Sequence, residues 1–211
     1  MTQINDYSYT TDDQLKTLIE TQNFPPYILE SLNDHQEYAH LRYFENSCCI
    51  IFNYPHLNHQ HIVNTPICLV VQEEHLNFIH PDHVTTLFVP ADQALDLPQL
   101  IAVFNQRLLK HYEGILASLE NSIQKSEADM LRNPEKDNIK HLFKLKKMLI
   151  KIQMCVTGVE EVSQYIIQHR APYLYHDDLN DEYGDIAIET KQVRSTLVML
   201  NEAVDSILDI T

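Results

Sequence analysis

HDDLNDEYGDIAIETKQVRSTLVMLNEAVDSILDIT occupies residues 176 to 211. His176-Asp177-Asp178 opens a helix with acids that suit its first turn. Val198-Met199-Leu200, Val204, Ile207-Leu208 and Ile210 keep helical spacing to the last residues, with no Gly, Asn cap or Pro to stop it. A helix of roughly 35 residues would be about 50 Å long. Its lack of a terminator leads us to expect a chain cut before the element it led into.

Upstream of it, two more helical stretches follow Pro98. The first carries Leu100, Ile101, Phe104, Leu108, Tyr112, Ile115, Leu116, Leu119 and Ile123. After the break at Asn133-Pro134, the second carries Ile139, Leu142, Phe143, Leu145, Leu149, Ile152 and Val156, and Ala171-Pro172 ends it. So short a connection predicts an antiparallel hairpin. The expected helices cover 98–132, 135–170 and 177–211.

Before Pro90 the period is different. Thr10 and Thr11 with Asp12-Asp13 start a first helix with the stripe Leu15, Leu18, Ile19, and Pro25 starts a second with Ile28, Leu29 and Leu32. From His40 onward come short β-branched or aromatic runs: Leu41 to Phe44, Cys48 to Tyr54, Ile67 to Val71, Leu76 to Ile79 and Thr86 to Val89, with Glu73-Glu74 as a hairpin turn. Strands flanked by helices predict an α/β class, a layered α/β/α sandwich followed by a long helix hairpin and a truncated stalk helix. The expected division is an α/β domain over 1–96, the hairpin over 97–175 and the stalk start over 176–211.

Lys and Arg number 15 against 30 Asp and Glu, a formal charge of −15. That balance opposes nucleic acid and anionic membrane surfaces and favours cations or basic partners. No run approaches the roughly 20 apolar residues of a membrane span, and the polar start MTQINDYSYTTDDQ does not read as a signal peptide. Cys48, Cys49, Cys68 and Cys155 sit in apolar segments without metal-motif spacing, and adjacent Cys48 and Cys49 face opposite sides of a strand. They read as reduced, buried thiols of a cytoplasmic chain.

Two clusters are candidates for chemistry. The run His56-Leu57-Asn58-His59-Gln60-His61 has ligand types for a transition metal, but reads better as a polar connection between strands. There is no nucleophile motif, and only three Gly are present, too few for a phosphate-cradling loop. No enzyme and no organic cofactor are expected. The acids Asp177, Asp178, Asp181, Glu182, Asp185 and Glu189 are more informative. Asp178, Asp181, Asp185 and Glu189 share a helix face; the helix dipole accounts for those in the first turn but less well for Asp185 and Glu189. Carboxylates on facing elements suit magnesium.

Several segments together carry a resemblance. FPPYILESLNDHQEYAHLRYFENSCCIIFNYP, CLVVQEEHLNFIHP, LRNPEKDNIKHLFKLKKMLIKIQ and DEYGDIAIETKQVRSTLVMLNEAVDSILD resemble, in order and spacing, the cytoplasmic part of the CorA family of magnesium and cobalt transporters. The resemblance runs from about Thr11 to Thr211. It implies a homopentameric, channel-like transporter at the cell membrane, with this part on the cytoplasmic side and a Gly-Met-Asn pore mouth and two membrane helices beyond Thr211. It also implies regulatory magnesium between neighbouring copies. Asp185 aligns with the stalk-helix ligand, and Ser31 stands where the family has the partner acid, so Glu30 or Asp34 is expected to substitute, with Glu189 beside Asp185. The expected function is sensing of internal magnesium and gating of the pore. The alternatives are a soluble helical interaction protein with no transport role, and a metal-dependent enzyme using His59 and His61.

Overall fold

A computed structural model describes residues 2–34, 38–58, 61–72, 75–84, 87, 95–132, 136–169, 171 and 173–209. In chain order the elements are β1 (Gln3–Tyr9), α1 (Asp12–Thr21), α2 (Tyr27–Asn33), β2 (His40–Phe44), β3 (Ser47–Asn58), β4 (His61–Gln72), β5 (His75–Pro81), α3 (Leu97–Arg132), α4 (Lys136–His169) and α5 (Asn180–Asp209). A single 3₁₀ turn, Asp177–Leu179, leads into α5.

The five strands lie in the order β1-β5-β4-β3-β2. All neighbours are antiparallel except β1, which runs parallel to β5. Both sheet faces are covered, so β3 and β4 are buried on both sides, with near-continuous apolar runs. One face, with Cys49, Ile51, Cys68, Val70 and Ile79, packs on Leu15 and Ile19 of α1 and Ile28 and Leu32 of α2. The other, with Cys48, Ile50, Phe52, Leu69 and Phe78, belongs to a core that continues through α3, α4 and α5. Phe104 of α3 sits between Phe52 and Phe78, its centroid 5.8 and 5.4 Å from theirs. The layered α/β/α class is what the structure shows.

Local chemistry explains where the helices start and stop. Thr11 caps α1 by accepting from the Gln14 N–H at 3.3 Å. At its other end Asn23 adopts φ 53°, and the Phe24 N–H donates back to the Ile19 carbonyl at 3.0 Å, with Asn in the left-handed role Gly usually takes. Asp96 and Gln99 form a reciprocal capping box at the start of α3, each side chain 3.0 Å from the other's N–H. Pro98 is harmless there because a first-turn N–H has no intrahelical partner. Asn105 of α3 meets Ser163 of α4 at 3.5 Å, so the two helices run antiparallel as a hairpin. Lys146 pairs with Asp205, and Arg194 with Glu160 at 2.6 Å, which sets α5 antiparallel to α4.

Several expectations need correction. The polar N-terminal segment, for which no strand was expected, contains β1, an edge strand. His56, Leu57 and Asn58 belong to β3 and His61 to β4, so that run is mostly a long hairpin rather than a loop. Of Val198-Met199-Leu200 only Leu200 is buried, because the inner stripe of α5 runs Tyr183, Ile186, Thr190, Val193, Leu197, Leu200, Val204, Ile207. Phe143 is likewise exposed. The second helix begins at Tyr27, two residues after Pro25. The expected strand Thr86 to Val89 lies outside the described residues except Leu87, which is buried in a turn. Glu73-Glu74, Asn133-Pro134, His59 and Pro172 also lie outside them, although Gln72 pairs with His75 as a two-residue hairpin requires.

All four cysteines are buried and free. Burial pushes the thiols of Cys48 and Cys155 up to about 12, so both stay protonated. Cys48 and Cys49 do face opposite layers.

Candidate cation site

The acids expected to bind magnesium lie in two places. Asp185 is exposed and Glu189 half-buried on α5, one helical turn apart. Glu189, but not Asp185, lines a groove of about 450 Å³ against α3, bordered also by Gln106, Arg107, Lys110, Glu113 and Gln192. Burial raises the proton affinity of Glu189 above the usual carboxylate range; Glu113 and then Asp185 push it the same way, and Lys110 opposes them.

Glu30, on α2, and Asp34, the residue that caps its C-terminal end, lie on the opposite side of the sheet, both exposed. Ser31 between them is fully buried, and its Oγ has no partner among the described residues. Helical geometry accounts for this. Position 31 shares the inward stripe of Ile28 and Leu32, so an acid there would be turned into the α2–sheet layer, whereas 30 and 34 point outward. Within one chain the structure does not bring Asp185 together with Glu30 or Asp34. Among the described residues no group of three or more His, Cys, Asp or Glu is arranged to hold a metal ion. A site that joins Asp185 to Glu30 or Asp34 would therefore have to draw them from two copies of the chain.

Glu113 was missed by the sequence reading. It lies on α3, about 70 positions before Asp185, and only helix packing makes them neighbours. The same is true of His83 and His111. Both approach His56, whose proton affinity is lowered by burial and then by these two rings.

The family model described as "CorA-like Mg2+ transporter protein" matches residues 3–211. This chain belongs to the CorA family. The soluble domain of CorA from Methanocaldococcus jannaschii has the same fold, with a TM-score of 0.82 at 18% identity over 97% of this chain and 85% of that one. The complete CorA magnesium transporter of the same organism gives 0.82 at 17% identity over 98% of this chain and 68% of that one. The cytoplasmic domain of ZntB from Vibrio parahaemolyticus gives 0.68 at 10% identity, over 92% and 80%. No curated protein sequence gives a significant match to the chain. This chain thus has the fold of that soluble domain, and among its described residues no helix is long and apolar enough to cross a membrane.

Proposed function

We infer that the chain is the cation-sensing regulatory domain of a CorA-like transporter for divalent metal, magnesium or cobalt, in which magnesium bound between neighbouring copies favours the closed pore. The observation that carries this reading is the Asp185–Glu189–Glu113 face, where burial first, and then the charges of Glu113 and Asp185, raise the proton affinity of a carboxylate beside which a dication would be favoured. Glu30 and Asp34, exposed on the far side of the sheet, supply the second half from the adjacent copy. A cation shared across the interface offsets the repulsion between the two acidic faces, so its loss loosens the assembly. Self-association into a pentamer has apolar surface to use: Phe143, Ile150 and Met154 on α4 and Ile188, Val198 and Met199 on α5 are all exposed. In this reading the domain sits on the cytoplasmic side of the membrane, has no catalytic role, needs no organic cofactor, and touches the membrane only through helices following α5.

Millimolar magnesium should raise the thermal midpoint of the wild-type oligomer, because it binds the assembled state preferentially. Asp185→Ala should abolish most of that rise. Equal stabilisation of both proteins would make Asp185 a solvated acid on a structural helix. An open reading frame continuing past Thr211 into two apolar spans with Gly-Met-Asn between them would support transport, and its absence would favour a soluble helical interaction protein.

A further inference from the structure

His56, near the end of β3, and His83, in the turn after β5, lie with ring centroids 5.0 Å apart and planes inclined at 62°. Thr65 Oγ1 stands 3.4 Å from Nδ1 of His56, within hydrogen-bond reach, whereas Asp82 Oδ1 lies 3.9 Å from Nδ1 of His83, a neighbouring charge beyond that reach. Nε2 of each ring has no hydrogen-bond partner among the described residues. Histidines that bind metals characteristically present one nitrogen to the ion while a hydroxyl or carboxylate steers the other. A tetrahedral ion with nitrogen ligands at about 2.0–2.1 Å places its imidazole centres roughly 5 Å apart, which is the separation found here.

The surroundings favour the neutral ring that a metal needs. Burial, His83 and His111 together hold His56 below the ordinary histidine range. His111 is itself fixed, stacked on Tyr54 at 4.1 Å with Nε2–H donating to the Pro55 carbonyl at 2.7 Å. It closes one side of the pair without having to move.

We propose that His56 and His83 form a chelating pair for a borderline transition-metal dication of the zinc or nickel kind, which clamps β3 to the turn after β5. Water completes the coordination, because no third His, Cys, Asp or Glu among the described residues is placed to share the ion. Nitrogen donors separate this pair from the carboxylate face on α5: imidazoles select zinc or nickel, and oxygens suit magnesium. The pair stands whether or not the magnesium reading holds.

The test is a zinc titration of the whole chain in millimolar magnesium, followed by calorimetry and by NMR of the imidazole nitrogens. One zinc per chain is expected, with the His56 and His83 resonances shifted together. Affinity should fall roughly tenfold or more in His83→Asn, which replaces an exposed ring and spares the core, and in His56→Gln. His61→Gln should bind as wild type does. Zinc binding that survives His83→Asn and His56→Gln but is lost on changing His59 or His61 overturns the proposal. So does failure of the wild type to bind micromolar zinc in the presence of magnesium.

Discussion

The hydroxyl of Tyr112, on α3, donates to the main-chain carbonyl of Asn53 in β3 at 2.8 Å, with the tyrosine wholly buried. Asn53 stands opposite Pro66 in the β3–β4 register, and Pro66 has no N–H to offer. The helix therefore supplies a hydrogen-bond donor to this strand carbonyl. Burial holds the Tyr112 phenol well above its usual range, so it stays a donor. Tyr112→Phe keeps the ring and removes only this bond, and should cost about 1–2 kcal/mol in urea unfolding. A change within the error of the measurement would mean that the carbonyl is satisfied by other means.

Gly158 faces Ala39 so closely that a Cβ on Gly158 would overlap the Ala39 Cβ, with no flexible side chain able to give way. This contact lets α4 approach the chain just before β2. Gly158→Ala should destabilise by about 1–3 kcal/mol as overpacking does, even though Ala is the better helix former. Ala39→Gly in the same background should restore part of the loss, and a double mutant no better than Gly158→Ala would place the cost elsewhere.

His56 and His111 are both held below the ordinary histidine range, mainly by burial. Between that lowered value and the unfolded value near about 6.5, the folded state binds fewer protons than the unfolded one. Stability is then complete above the unfolded value and falls as pH drops through it. Urea midpoints measured from pH 7.5 down to 5 should decline, and the slope should be shallower in His56→Gln with His111→Gln. An unchanged slope would assign the acid sensitivity to other groups.

Glu189 has the opposite sign. Its folded-state affinity for a proton is raised, so its charge opposes folding at neutral pH and the penalty is relieved as pH falls into the carboxylate range. Glu189→Gln should raise the thermal midpoint at pH 7 by an amount worth less than about 1 kcal/mol after solvent screening. The gain should vanish near pH 4, and added magnesium should stabilise the variant less than the wild type. A variant less stable than wild type at pH 7 would show that Lys110 outweighs the two acids.

Asn23 ends α1 at φ 53°. Asn23→Ala keeps a β-carbon in the left-handed region but loses the short polar side chain that makes Asn tolerant of it, and a loss of about 1 kcal/mol is expected, whereas Asn23→Gly should be neutral or better. Chemical denaturation of the three proteins side by side would decide it.

The long helices were legible because their periodicity extends over many turns. Leu100 to Ile123 and Leu142 to Val156 repeat at helical spacing, and observed boundaries fall within a few residues of those expected. The central runs of β3 and β4 could also be read locally. β1 could not. QINDYSY is polar, and it is a strand because β5 offers it a parallel edge, with Asn5 donating to Asn77 at 2.8 Å and Asp6 accepting from His80 at 2.8 Å.

By itself, the sequence determined the layered class, the helix hairpin and the facing of Cys48 away from Cys49, because each follows from periodicity or from the order of neighbouring segments; the family entered as a resemblance that the family model then bore out. Tertiary structure alone decided which side chains meet. It turned Ser31 inward and Glu30 outward, set Glu113 beside Glu189, and brought His83 and His111 to His56. Residues distant in sequence become neighbours only when helices dock and strands pair, since pattern fixes which face of an element is buried but not what is laid against it.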